Sequence, residues 1–166
     1  MAATFRRCDG FAKFGLVTLL ILAVGCGGPE ERKAKYRMKA QEYMQAGNFP
    51  KARVALRNVL KIDPKDSEAY FLYAQVEEKE KDWRNAFAHY QRVIELHPDH
   101  ERALVKLGKF YLQGRLDEKA HETADQLLRL YPGHVSARAI KAALSAAEGK
   151  LTEATAAGEA LIKQFP

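Results

Sequence analysis

Beyond residue 32, the apolar and small positions of this chain fall into registers spaced 34 residues apart. Ala40, Ala74, Gly108 and Ala142 form one register of small residues, and Ala52, Ala86, Ala120 and Ala154 form another. Leu60, Ile94, Leu128 and Ile162 form an apolar register, and Pro64, Pro98, Pro132 and Pro166 close each period. Within a period the apolar residues recur three and four apart, which is the spacing of one helix face, and each period holds two such stretches. The pattern predicts helices over 33–46, 49–61, 67–80, 83–96, 101–114, 117–130, 135–148 and 151–163. Four helix-turn-helix repeats follow, over 33–66, 67–100, 101–134 and 135–166.

The registers have a physical reading. Small residues at two fixed positions let paired helix backbones approach closely, while larger apolar side chains fill the gaps around them. Proline ends each second helix because it lacks the amide hydrogen and biases the residue before it towards extended backbone. Gly47 and Gly149 fall between paired helices, where a left-handed residue is wanted. Asp82 is placed to cap the helix opening at Trp83. In the third repeat Gly114 comes one residue early relative to Ala120, which predicts a different turn there.

The first 32 residues follow another rule. Arg6, Arg7 and Lys13 precede the run FGLVTLLILAVG, an apolar stretch of about a dozen residues with no polar face, as in a secretory signal and too short to span a bilayer. Residues 1–25 are thus predicted to be a signal peptide. The run ends in LAVGCGG, and Leu22, Ala23, Val24, Gly25 and Cys26 resemble the bacterial lipoprotein signal. That resemblance implies that Cys26 becomes the lipid-modified first residue of the mature chain, with 26–32 as a short linker. Ala23 stands where that family more often has leucine. Gly27 stands where aspartate would keep such a protein at the inner membrane, so the resemblance implies the periplasmic face of a Gram-negative outer membrane.

The repeats resemble the tetratricopeptide repeat family from residue 33 to the end. Tyr36, Tyr70 and Leu104 stand at its large residue early in the first helix, and Phe49 and Trp83 at the residue opening the second. Lys39 and Lys141 depart from it at a usually apolar position, as does Glu77 where Tyr43 and Tyr111 stand in other repeats. The resemblance implies an all-α solenoid of four repeats that binds protein partners, and the recurring aromatics, Trp83 included, are assigned to its core.

Composition narrows the function. Of the 166 residues 47% are apolar and 29% charged, as in a globular chain. The net charge of +6 is dispersed, with no aromatic and basic platform for nucleic acid. Cys8 and Cys26 do not make a disulfide framework. No phosphate loop, metalloprotease helix or nucleophile with its base is present, so neither catalysis nor a cofactor is expected. His97, His100 and His134 fall on turns between repeats and are expected to be solvated rather than metal-ligating, and His89 and His121 stand singly on second helices.

In the family the first helix of each pair lines a groove. Carried over, its positions are Arg37 and Gln41, then Phe71, Gln75, Glu78 and Lys79, then Arg102, Lys106, Lys109 and Gln113. Arg37, Arg102 and Lys106 match the basic part of a family clamp for terminal carboxylates, but Gln41 and Leu72 replace its asparagines. What remains is an expected preference for an acidic or carboxylate-bearing segment. Among lipoproteins with such repeats the chain resembles those of exopolysaccharide export and PEP-CTERM protein sorting. Pilus-secretin and outer-membrane barrel assembly lipoproteins compete within that class, and a polysaccharide-binding accessory or a regulator of an envelope hydrolase is the alternative outside it. Leu161, Ile162 and Phe165, with no polar capping helix after them, lead to the expectation of further repeats or of self-association through the last helix.

Overall fold

The computed structural model describes residues 28–164, so the expectations for the signal, for Cys26 and for Phe165 and Pro166 lie outside the described residues. Eight helices and no strand make up the described chain. They are α1 Pro29–Gln45, α2 Phe49–Ile62, α3 Ser67–Lys79, α4 Trp83–Leu96, α5 Glu101–Gln113, α6 Asp117–Leu130, α7 Val135–Ala147 and α8 Leu151–Gln164. Seven of the eight lie within a residue of the expected bounds. The exception is α1, which starts four residues early, inside the expected linker. Pro29 takes the first helical position, where its missing amide hydrogen costs nothing, and Glu30 and Glu31 fill the first turn against the helix dipole.

Pairs α1/α2, α3/α4, α5/α6 and α7/α8 pack most closely, and each second helix then packs on the first helix of the next pair. The core follows the registers: Ala40, Ala52, Ala74, Ala86 and Ala120 are fully buried, with Leu56, Val59, Tyr90, Val93 and Leu127 between them. Asp63, His97 and Tyr131, each before a proline, leave the helix with φ near −135°, −145° and −138°, as the proline ring demands.

The turns inside the repeats correct one expectation. All four share a geometry in which residue 47, 81, 115 or 149 is left-handed: Gly47 has φ 69°, Lys81 63°, Arg115 56° and Gly149 79°. Repeat three is no exception. Gly114 has φ −80° and ends α5, and Arg115 takes the strained position itself. Asn48 and Asp82 cap α2 and α4 through their side chains, while Leu116, at the same register, offers α6 no side-chain cap.

Two histidines expected to be solvated are caps. The Ala103 amide donates to His100 Nδ1 at 3.2 Å and the Ala137 amide to His134 Nδ1 at 3.2 Å, one and two periods after Asp66, whose carboxylate accepts from the Ala69 amide at 2.8 Å. His100 Nε2 lies 3.6 Å from Glu68, which is itself paired with Arg102, and the imidazole ring rests 5.0 Å from that of Phe71. Burial pushes the His100 imidazole below its ordinary value, with Glu68 opposing and Arg102 reinforcing the shift. A histidine depressed in the fold contributes stability that is whole above about pH 6.5 and is lost as pH falls towards the folded value. Protonating Nδ1 also destroys the cap. Thermal unfolding at pH 7.5 and 5.0 is therefore expected to show a smaller acid loss for His100→Asn, which keeps an acceptor at this position, than for the unmodified chain. Equal losses would contradict this account.

Candidate functional site

Residues from the C-terminal halves of the first helices, together with the opening residues of α2 and α4, line two adjoining clefts. One, of about 460 Å³, is lined by Glu78, Trp83, Lys106, Lys109, Phe110 and Gln113 together with Gly114. The other, of about 500 Å³, shares Glu78, Trp83 and Lys106 with the first and adds Met44, Phe49, Gln75 and Lys79.

Trp83 is the centre of this surface. It opens α4, and the indole is 55% exposed instead of buried in the repeat core as the register implied. Its ring stands edge-on to Phe110 at 6.5 Å. Beneath it Tyr90 is fully buried, 5.5 Å from the ring of Phe71 and 6.1 Å from that of Phe110. The Tyr90 hydroxyl donates to Glu78 at 2.9 Å and the Lys106 ammonium donates to the same Glu78 oxygen at 2.6 Å. Burial, aided by the Glu78 charge, pushes the Tyr90 phenol far up, so it remains a donor.

The expected groove residues divide. Gln75, Glu78, Lys106 and Lys109 line the clefts. Gln41 is exposed and lines neither cleft. Phe71 is 1% exposed and belongs to the core, covered by the Arg102 guanidinium 4.3 Å from its ring centre. The basic residues are mostly committed to neighbours. Arg37 lies 3.5 Å from Asp66, Arg102 donates to both oxygens of Glu68 at 2.9 and 2.7 Å, and Lys106 is held by Glu78. Lys79 and Lys109 form no ion pair among the described residues, which makes them the cleft cations with charge to offer.

A second ionic cluster lies between α2, α3 and α4. Glu77 is 2% exposed, accepts from His89 Nδ1 at 2.7 Å in the tautomer that carries the proton there, and lies 3.6 Å from Arg53. Arg53 also donates to Glu80 at 2.8 Å, and its backbone carbonyl accepts from the Tyr73 hydroxyl at 2.9 Å. The carboxylate that replaces a tyrosine at this register is thus satisfied by side chains from both flanking helices. Among the described residues no group of three or more His, Cys, Asp or Glu gathers as metal ligands, and no helix is long and apolar enough to cross a membrane.

The sequence pattern did not point to Met44, Phe49, Trp83 and Phe110 as site residues. The available signal was positional: Phe49 and Trp83 open second helices one period apart, and a residue at a helix start covers less of the core than one in its middle.

Two tetratricopeptide repeat family models match the chain, over residues 37–101 and 77–144. Type IV pilus assembly protein PilF of Pseudomonas aeruginosa is 28% identical over 95 residues, 57% of this chain and 38% of that protein. Human protein O-mannosyl-transferase TMTC3 is 29% identical over 92 residues, 55% of this chain and 10% of that protein. The chain therefore spans well under half the length of either curated relative. Among solved structures, P. aeruginosa PilF superposes with a TM-score of 0.68 at 24% identity, over 84% of this chain and 64% of that one. PilW, described as a widely conserved type IV pilus biogenesis factor, gives 0.66 at 24% identity, over 81% and 62%. These likenesses establish the fold.

Proposed function

The chain belongs to the tetratricopeptide repeat family, and from that premise we propose that it is a non-catalytic adaptor of the cell envelope. It holds an extended segment of a protein partner in the clefts around Trp83. The observation that carries this reading is an indole more than half exposed, framed by Phe49, Met44 and Phe110 and flanked by two unpaired lysines. Exposed tryptophans set in apolar hollows with a polar rim are the usual anchors of protein interfaces. The segment that fits presents an aromatic or aliphatic side chain to the cleft and a carboxylate to Lys109 or Lys79. Lys106 shapes the wall through its pair with Glu78, while Arg37 and Arg102, held by Asp66 and Glu68, line neither cleft, so none of the three is the first contact for an acidic ligand.

In this proposal the mature chain is carried on lipid at Cys26, at the periplasmic face of the outer membrane. The likeness to PilF supports work in envelope assembly of the pilus type, ahead of the exopolysaccharide-export and protein-sorting role implied by general repeat character. The comparable likeness to TMTC3 means that the repeats alone carry no pathway.

A photo-reactive residue in place of Gln113, with a control in place of Arg129 on α6, tests the site in intact envelopes. A partner cross-linked from position 113, absent from position 129 and lost on adding Trp83→Ala, is the expected result. Cross-linking that is equal from both positions, or indifferent to Trp83, would overturn the assignment.

A further inference from the structure

The outward face of the first repeat differs in chemistry from the same face of the second. In α3, Ala69, Leu72, Tyr73 and Val76 pack on the first repeat. One period earlier, the positions in α1 hold Lys35, Met38, Lys39 and Glu42, with no preceding repeat against them among the described residues. Between α1 and α2 this face opens a shallow hollow of about 330 Å³ lined by Tyr36, Lys39, Tyr43, Lys51, Val54 and Asn58. Met38 is 59% and Val54 56% exposed. Lys51 lies 5.7 Å from the centre of the Tyr43 ring. Lys35, Lys39 and Lys51 form no ion pair among the described residues, whereas Lys141, the fourth-repeat counterpart of Lys39, is bonded to Asp125 at 2.5 Å. Glu42 is the one carboxylate at these positions.

We propose that this face docks on anionic lipid headgroups, an inference that rests on the reading of Cys26 as the lipid anchor. Two observations select this occupant over a protein. The first is the surface itself: unpaired lysines interleaved with half-buried tyrosines and exposed apolar side chains suit the boundary between headgroups and acyl chains. The second is reach. Because α1 begins at Pro29, Cys26 lies three residues away, about 10 Å at full extension. Lys39 is a further ~15 Å along the helix. A lipid on Cys26 therefore holds this face at the bilayer at high effective concentration, where weak attractions by single lysines add up.

The test uses the full chain purified from the membranes of a Gram-negative host and placed on vesicles, with lysine acylation rates read by mass spectrometry. On vesicles containing phosphatidylglycerol, Lys35, Lys39 and Lys51 are expected to react about five-fold more slowly than on phosphatidylcholine alone, and 0.5 M salt should restore their rates. Lys65 and Lys163 serve as controls and should not change. Lys35→Glu with Lys39→Glu should free Lys51 while leaving the helical signal intact. Equal rates on both vesicle types overturn the proposal. So does protection in detergent that grows with protein concentration, which would assign the face to a second copy of this chain. Intact mass separates the two readings: acyl chains on Cys26 without protection sink the docking face alone, and protection without acyl chains sinks the anchor alone.

Discussion

Tyr90→Ala is expected to lower the unfolding free energy by about 4 kcal/mol, the largest loss from any single truncation in this fold. The ring is fully buried between those of Phe71 and Phe110, and its hydroxyl secures Glu78 from below. Removing it leaves a void between two repeats and a half-buried carboxylate with Lys106 as its remaining partner. Tyr90→Phe separates the two contributions. It keeps the packing and loses one hydrogen bond to a charged acceptor, for which ~1.5–2 kcal/mol is expected. Urea unfolding of both variants checks the ratio, and equal losses would show that packing contributes little.

Trp83→Ala should have the opposite profile. With the indole more than half exposed, unfolding should change by less than about 1 kcal/mol, while affinity for the partner captured from position 113 should fall by ~30-fold or more, as for a central interface anchor. Trp83→Phe should recover part of the loss, since Phe110 still offers an edge-on neighbour. Lys109→Glu should act differently, weakening binding most at low salt. Titration of purified chain with purified partner measures all three. A Trp83→Ala variant that binds as tightly as the unmodified chain would remove the cleft from the interface.

Local chemistry made most of the helices legible. Proline at a constant interval, small residues at two registers and the apolar spacing within each period are all properties of a few neighbouring residues, and they placed seven helices within a residue of their bounds. The beginning of α1 is equally local, because Pro29-Glu30-Glu31 is a helix start, although it falls inside the linker that the lipoprotein resemblance implies. The third turn misled for a related reason. Gly114 looked like the flexible residue, yet the geometry is imposed by the helices on either side, and Arg115 complies. The site was less legible because its electrostatics are non-local. Arg102 meets Glu68 from 34 residues away and Lys106 meets Glu78 from 28, so a face that reads as basic along one helix is largely neutralised by the next. Exposure of Trp83 and burial of Phe71 depend on where each residue stands along its helix, which the hydrophobic pattern does not encode.

The Arg53, Glu77 and His89 cluster has a consequence for how such an array can change over generations. Repeat proteins lengthen by copying a unit in place. A copy of the second repeat set behind the original would bring its equivalent of Glu77 against Phe87, which holds in α4 the register that Arg53 holds in α2. The copy would keep its own equivalent of His89, which lies 2.7 Å from Glu77, but would lose the guanidinium that Arg53 places 3.6 Å away, so a buried carboxylate would give up its permanently charged partner. The first two repeats thus carry a matched pair that favours their order, and growth by duplication of the second repeat carries a stability cost that an uncharged residue 77 would remove.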